Sequence, residues 1–193
     1  KMAFKDKDAN MADPTFYRIP IGQLLSAEHA RELSRQIEPQ KATFNYQAPQ
    51  WIERESGNTT HLSVVDENRN IVALTQSINS WFGSGVMDPQ SGILLNNHMA
   101  DFDAEPGMPN SVEPLKRPVS SIAPTIILKD GEPVLTIGTP GGARIISALA
   151  QIIINLIDFE MSIDQAIEAP RIHSIGESLS LEKRISEDIR LDL

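Results

Sequence analysis

Thr59 opens the run Asn58-Thr59-Thr60-His61-Leu62-Ser63-Val64-Val65-Asp66, a short polar lead into apolar, β-branched residues. A threonine hydroxyl is a poor nucleophile near neutral pH. It becomes a competent one when backbone cleavage makes it a chain N-terminus. Its own α-amine, with a pKa of about 7.7–8, can then take the hydroxyl proton. Taken alone, Thr-Thr ahead of a strand expresses only β-propensity.

Other residues have the types that such a site needs. Gly141-Gly142 stands at the mouth of an apolar helical stretch, where backbone N–H groups are unpaired and the helix dipole favours negative charge. Donors of this kind contribute about 3–4 kcal/mol each to an oxyanion transition state. Ser77 lies on the strand expected beside Thr59, and Asn79, two residues on, points the same way. His98, Asp101, Ser120 and Ser121 fall in polar loops and turns, where alone they read as solvated side chains. His61 is a poor base for Thr60, because adjacent strand residues face opposite sides. The histidines at 29, 61, 98 and 173 lack metal-ligand spacing, and no Gly-rich phosphate or dinucleotide motif occurs, so neither metal nor cofactor is expected.

Several elements would position these groups. Residues 1–20 read as irregular, ending in the turn Asp13-Pro14-Thr15-Phe16. A helix is expected over 26–37, with Ser26 as N-cap and Ala30, Leu33 and Ile37 on one face. Residues 38–58 lack a period and read as a linker. Strands at 61–66 and 71–77 pair around Glu67-Asn68-Arg69-Asn70, and a second hairpin spans 124–138 around Asp130-Gly131-Glu132. The stretch 144–159 is apolar nearly all round and reads as a buried helix. A further helix starts with the capping box Ser162-x-x-Gln165 and stops at Pro170. Local pattern supports an α-plus-β class.

The 193 residues suffice for one domain with a core, and 40% hydrophobic with 22% charged residues is an ordinary soluble composition. A net charge of −9 argues against nucleic acid and anionic membrane surfaces as partners. Cysteine is absent, which excludes disulfides, thiolate ligands and Cys nucleophiles but fixes no compartment. No signal peptide or transmembrane run is visible.

Five motifs occur in order: Asn58-Thr59-Thr60-His61, Phe82-Gly83-Ser84-Gly85, Ser91-Gly92-Ile93-Leu94-Leu95-Asn96-Asn97, Arg117-Pro118-Val119-Ser120-Ser121 and Gly138-Thr139-Pro140-Gly141-Gly142-Ala143-Arg144. Together they resemble the γ-glutamyltranspeptidase family of N-terminal-nucleophile hydrolases, from about Asp13 to the C-terminal end. The resemblance implies a four-layer αββα sandwich, incomplete in this chain. It implies a precursor that cuts itself at Asn58–Thr59, leaving 1–58 as the end of a large subunit plus linker and 59–193 as most of the small, catalytic subunit. The two subunits would form a heterodimer from one precursor, with no cofactor. Thr59 would attack a γ-glutamyl amide and form an acyl-enzyme that water or an amine resolves. Ser77, where the family has Thr, would orient the nucleophile, and Gly141 and Gly142 would hold the oxyanion. Asn79, His98, Asp101, Ser120 and Ser121 would contact the α-amino and carboxylate groups of the substrate. Family members are often periplasmic or secreted.

Two departures stand out. His98 replaces a family Gln or Glu, which puts strict γ-glutamyl selectivity in question, since imidazole is shorter and can be neutral or cationic. The segment Glu105–Pro114 is short where many members carry a longer lid, which favours an open cleft and hydrolysis or bulky substrates. The family's carboxylate-gripping Arg is expected before Lys1, and closing C-terminal strands beyond Leu193. Alternatives are a related amidohydrolase or acylase acting on another amide, and an uncleaved, inert fragment.

Overall fold

A computed structural model describes residues 1–41, 58–176 and 178–192. Most of the expected linker therefore lies outside the described residues. The chain divides into two compact units. The first comprises the described parts of Lys1–Glu53, His98–Ser120 and Ser174–Leu179, and the second those of Arg54–Asn97, Ser121–His173 and Ser180–Leu193.

The first unit begins with α1, Met2–Asn10, where irregular chain was expected. The sequence Met2-Ala3-Phe4-Lys5-Asp6-Lys7-Asp8-Ala9-Asn10 has no apolar stripe, and Phe4 is its one buried residue, so periodicity could not reveal it. After the short α2, Ile21–Leu24, comes α3, Ala27–Arg35. The Ser26 hydroxyl accepts from the His29 amide at 3.1 Å, as an N-cap should. This helix stops before Ile37, which is exposed, and none of its residues is buried. His29 Nε2 meets Asp6 Oδ2 at 2.8 Å and ties α3 to α1.

The Asp13 turn does more than reverse the chain. Its buried carboxylate accepts from Thr15 N at 3.0 Å and Thr15 Oγ1 at 2.7 Å. It also accepts from Arg117, through Nε and Nη2 at 2.9 Å each and the backbone N at 3.0 Å. The Arg117 guanidinium, and after it the Thr15 hydroxyl, holds this carboxyl well below the usual carboxylate range. Below about pH 3.9, the ordinary Asp value, the unfolded chain takes up a proton that the folded chain refuses. The stabilisation is thus complete above that pH and is lost progressively as pH falls below it toward the lower folded value. Asp13→Asn is expected to lower the urea midpoint at pH 7 and to flatten its acid dependence below about pH 4; a wild-type acid slope in the variant would refute the assignment.

In the second unit β1, Thr59–Val65, pairs antiparallel with β2, Ile71–Ser77, in the register Thr59↔Ser77, His61↔Thr75, Val65↔Ile71. Asp66 shapes the turn by accepting from Asn68 N at 2.9 Å and Asn70 N at 2.8 Å. A second hairpin joins β3, Thr125–Lys129, to β4, Glu132–Ile137, across Asp130-Gly131, both at positive φ. Its register shifts between Ile127 and Leu128, opposite Pro133, which has no N–H to offer a ladder. The hairpins touch through Ser63 Oγ and Thr136 Oγ1, 3.2 Å apart, and through Arg69 Nη2, which donates to Pro133 O at 2.9 Å.

The first hairpin inverts the usual burial rule. Thr59, His61, Thr75 and Ser77 are half-buried, whereas Leu62, Val64, Val72 and Leu74 on the other face are 45–55% exposed.

Helix α4, Arg144–Ile157, buries Ile145, Leu149 and Ile152 at the i, i+4, i+7 spacing of a single face. The expectation of burial all round fails here, since Ile154 and Ile157 are 44% and 58% exposed. Among the described residues α4 contacts α5, Ile163–Glu168, and its Gln151 side chain bonds the backbone of Ile172. The α5 capping box forms as expected, with Ser162 Oγ accepting from Gln165 N and Gln165 Oε1 from Ser162 N. Strands β5, Ile172–Ile175, and β6, Ser178–Leu181, then pair, and α6, Glu187–Asp192, follows. Among the described residues no helix is long and apolar enough to cross a membrane.

Candidate active site

The register of the first hairpin places Thr59 directly across from Ser77. Thr59 Oγ1 donates to Ser77 Oγ at 3.1 Å, and Ser77 Oγ donates in turn to Asn58 O at 3.3 Å. The serine hydroxyl therefore bridges the Thr59 hydroxyl and the carbonyl of the Asn58–Thr59 peptide bond. That carbonyl is the one a self-cleaving Thr59 must attack. Chemically, the bridge can orient the threonine hydroxyl and stabilise negative charge developing on Asn58 O.

Asn79 holds Ser77 in place, its backbone N–H donating to Ser77 Oγ at 2.9 Å. This contact needs the chain to turn sharply after β2, which it does with Asn79 at φ 70°. Asparagine tolerates the left-handed region better than most residues. The Asn79 amide reaches Asn97 O at 3.5 Å, and the Asn97 side chain bonds Ser80 N and Ser80 Oγ at 2.9 Å each. Asn97 was not among the expected site residues, although it closes one of the five motifs. Its signal was its place there rather than its type.

Gly141 and Gly142 occupy the loop before α4 with φ of 140° and 57°. Their carbonyls accept from Arg144 N at 3.1 Å and Ile145 N at 3.0 Å, which starts the helix. Among the described residues their own N–H groups meet no acceptor, and no side chain caps α4. Two backbone donors at the N-terminal end of a long helix can receive an oxyanion.

Asp101 and His98 belong to the first unit, in a 3₁₀ turn at His98–Asp101. His98 Nδ1 lies 2.7 Å from Asp101 Oδ2, and Asp101 is buried rather than solvated. Asn110, also buried and not foreseen, donates to Asp101 O at 2.7 Å and accepts from Val119 N at 3.2 Å. It thereby fastens the turn to the segment that ends in Ser120. Ser120 is exposed and closes the first unit's share of this segment, while the buried Ser121 opens the second's. The short Glu105–Pro114 stretch folds on itself, with the Ser111 hydroxyl accepting from Met108 N at 2.8 Å and donating to Glu105 O.

A cavity of about 240 Å³ lies in the second unit among Arg144, Ser147, Arg171, His173 and Glu182. None of the expected site residues lines it. His173 Nδ1 is 2.7 Å from Ser147 Oγ, and burial, followed by the charge of Arg144, lowers the His173 pKa. Among the described residues no group of three or more His, Asp or Glu side chains could hold a metal ion.

The sequence matches the family model for gamma-glutamyltranspeptidase over residues 1–193. The chain belongs to the γ-glutamyltranspeptidase family. It is 40% identical over 202 residues to the glutathione hydrolase proenzyme of Escherichia coli strain K12, covering 97% of this chain and 35% of that protein. It thus spans about a third of the length of the glutathione hydrolase proenzymes it matches. A Helicobacter pylori gamma-glutamyltranspeptidase mutant is structurally similar, with a TM-score of 0.64 at 40% identity over 69% of this chain and 78% of that one. The cephalosporin acylase from Bacillus halodurans matches with a TM-score of 0.80 at 29% identity, over 97% of this chain and 34% of that one. The fold class is that of the N-terminal-nucleophile hydrolases, mixed α/β, as the resemblance implied.

Proposed function

We propose that this γ-glutamyltranspeptidase-family chain is part of a γ-glutamyl amide hydrolase or transpeptidase whose nucleophile is Thr59, freed by self-cleavage. The hydrogen-bonded path Thr59 Oγ1–Ser77 Oγ–Asn58 O carries this assignment. In the precursor, Thr59 Oγ attacks the Asn58 carbonyl carbon, and the Ser77 hydroxyl supports the oxyanion. The C–N bond breaks as the Thr59 nitrogen gains a proton, and water hydrolyses the resulting ester. This leaves 1–58 and a chain beginning at Thr59 as two subunits of one heterodimer.

The new α-amine then takes the Thr59 hydroxyl proton as Oγ attacks the substrate amide. Gly141 and Gly142 donate to the oxyanion. The leaving amine departs with a proton, and water or a second amine resolves the acyl-enzyme. Asp101 would receive the substrate α-ammonium, with Asn79, His98, Ser120 and Ser121 contacting its polar end.

The test is intact mass of the full-length protein before and after treatment with an electrophilic glutamine analogue. Two chains split at Asn58–Thr59, with one adduct on Thr59, are expected. An uncleaved protein that takes no adduct would sink the proposal. Ser77→Ala is expected to slow self-cleavage and to lower kcat on a γ-glutamyl anilide by about 10²-fold through misplacement of the nucleophile. Ser77→Thr keeps the hydroxyl and should retain most activity.

The His98–Asp101 contact supports a second reading, an acylase acting on a donor without an α-amine. The imidazole already occupies Asp101 Oδ2, the carboxylate that would otherwise meet an ammonium. Comparison of a γ-glutamyl anilide with the same anilide lacking its α-amine separates the two: a higher kcat/KM for the second compound selects the acylase.

A further inference from the structure

We propose that His61 is a positioning residue, setting the Gly141–Gly142 donors relative to Thr59 through a contact with the backbone at Gly138. The role presupposes that Thr59 is the nucleophile and the two glycines its oxyanion donors. Strand alternation puts Thr59, His61 and Ser63 on one face of β1, and the cross-strand bonds of Thr59 to Ser77 and of His61 to Thr75 agree with it.

The imidazole is fastened at both nitrogens. Nδ1 lies 2.7 Å from Thr75 Oγ1, and Nε2 lies 3.0 Å from Ser63 Oγ, which in turn meets Thr136 Oγ1 of β4 at 3.2 Å. A ring held this way cannot swing aside without breaking a hydrogen bond.

Gly138 sits directly on that ring. A Cβ placed at Gly138 would fall 2.2 Å from His61 Cε1 and Nδ1 and 2.7 Å from Cγ, far inside contact distance. From Gly138 the chain reaches Gly141 through Thr139 and Pro140. The proline ring locks its own φ, and the Thr139 hydroxyl donates to Pro140 O at 2.9 Å, so the connection is short and stiff. β1 and β4 belong to separate two-stranded sheets, and among the described residues no ladder joins them. Beside the Ser63–Thr136 and Arg69–Pro133 contacts, the imidazole is the link nearest the nucleophile, two residues along β1 from it.

Self-cleavage and turnover should respond differently. The precursor carbonyl at Asn58 is supported by Ser77, on the other strand of the same hairpin, whereas turnover also needs the glycine amides. The experiment uses full-length precursor and measures self-cleavage rate, kcat and KM for wild type, Gly138→Ala, His61→Ala and the double variant. Gly138→Ala is expected to cleave within about 3-fold of wild type while kcat falls by about 10²-fold and KM moves little. Removing the ring in the double variant makes room for the methyl, so its kcat should exceed that of Gly138→Ala.

The inference is overturned if Gly138→Ala keeps kcat within 2-fold, if both rates fall together with thermal stability, or if the double variant is no better than Gly138→Ala. Should His61→Ala fail to fold, His61→Gln replaces it in the same comparison. A wild-type protein that neither cleaves nor acylates at Thr59 would instead refute the catalytic assignment itself.

Discussion

Thr59→Ala leaves the full-length precursor as a single chain and lowers turnover of a γ-glutamyl anilide by on the order of 10⁴-fold or more. The size follows from losing two functions at one atom. In the proposed mechanism the hydroxyl would attack Asn58 in the precursor and would carry the acyl intermediate afterwards. The α-amine base appears only after cleavage, so an uncleaved chain lacks both nucleophile and base. Ser77 cannot substitute, because at the end of β2 it stays peptide-bonded on both sides and gains no α-amine to take its hydroxyl proton. Thr59→Ser should cleave and turn over, more slowly, since the hydroxyl remains while the methyl that restricts its rotamer is gone. Intact mass and initial rates decide the matter. Cleavage of the alanine variant at the same bond would remove Thr59 from the mechanism.

Gly141→Ala is expected to reduce kcat by about 10²–10³-fold, with a smaller effect on KM, because an oxyanion donor acts mainly in the transition state. Space is not the obstacle. The atoms nearest an added Cβ are Arg144 Cβ at 3.7 Å and Ile145 Cγ1 and N at 3.9 Å, which are ordinary contacts. The obstacle is a φ of 140°, a conformation almost confined to glycine. An L-residue there rotates the peptide and turns the N–H away from the oxyanion. Gly142 has a φ of 57°, which an alanine reaches at a cost of about 1–2 kcal/mol without redirecting its amide. Gly142→Ala should therefore lose far less activity. Steady-state kinetics on both variants, beside their melting temperatures, test the contrast, and equal losses would argue against a directional role for the Gly141 amide.

The parts legible in the sequence are those governed by near neighbours. The Asp66–Asn70 turn and alternating β-branched residues brought Thr59 opposite Ser77, and the Ser162–Gln165 capping box placed α5. The Asp130-Gly131 turn and the Ser26 cap belong with them. Each is an interaction within a few residues or across a tight hairpin, and each has its own residue signature. Helix α1 escaped because a segment without an apolar stripe carries no periodic signal. The overestimated burial of α4 has the opposite cause: its residues are apolar on nearly every side, while those the described chain buries, Ile145, Leu149 and Ile152, share one face.

Residue type and order alone placed hydroxyls at Thr59 and Ser77 on facing strands and two glycines before a helix, and carried the motifs of the family to which the chain belongs. Tertiary structure decided which polar groups hold those parts in place. The Asp13–Arg117 clasp joins positions 104 residues apart, Ser63 reaches Thr136 across 73, and His61 meets Gly138 from another hairpin. Such contacts depend on how hairpins and loops pack, and a lone Asp, His or Asn in a sequence looks the same whether it is solvated or clamped. Only the folded arrangement, with its buried carboxylate and its ring seated against a glycine, distinguishes the two.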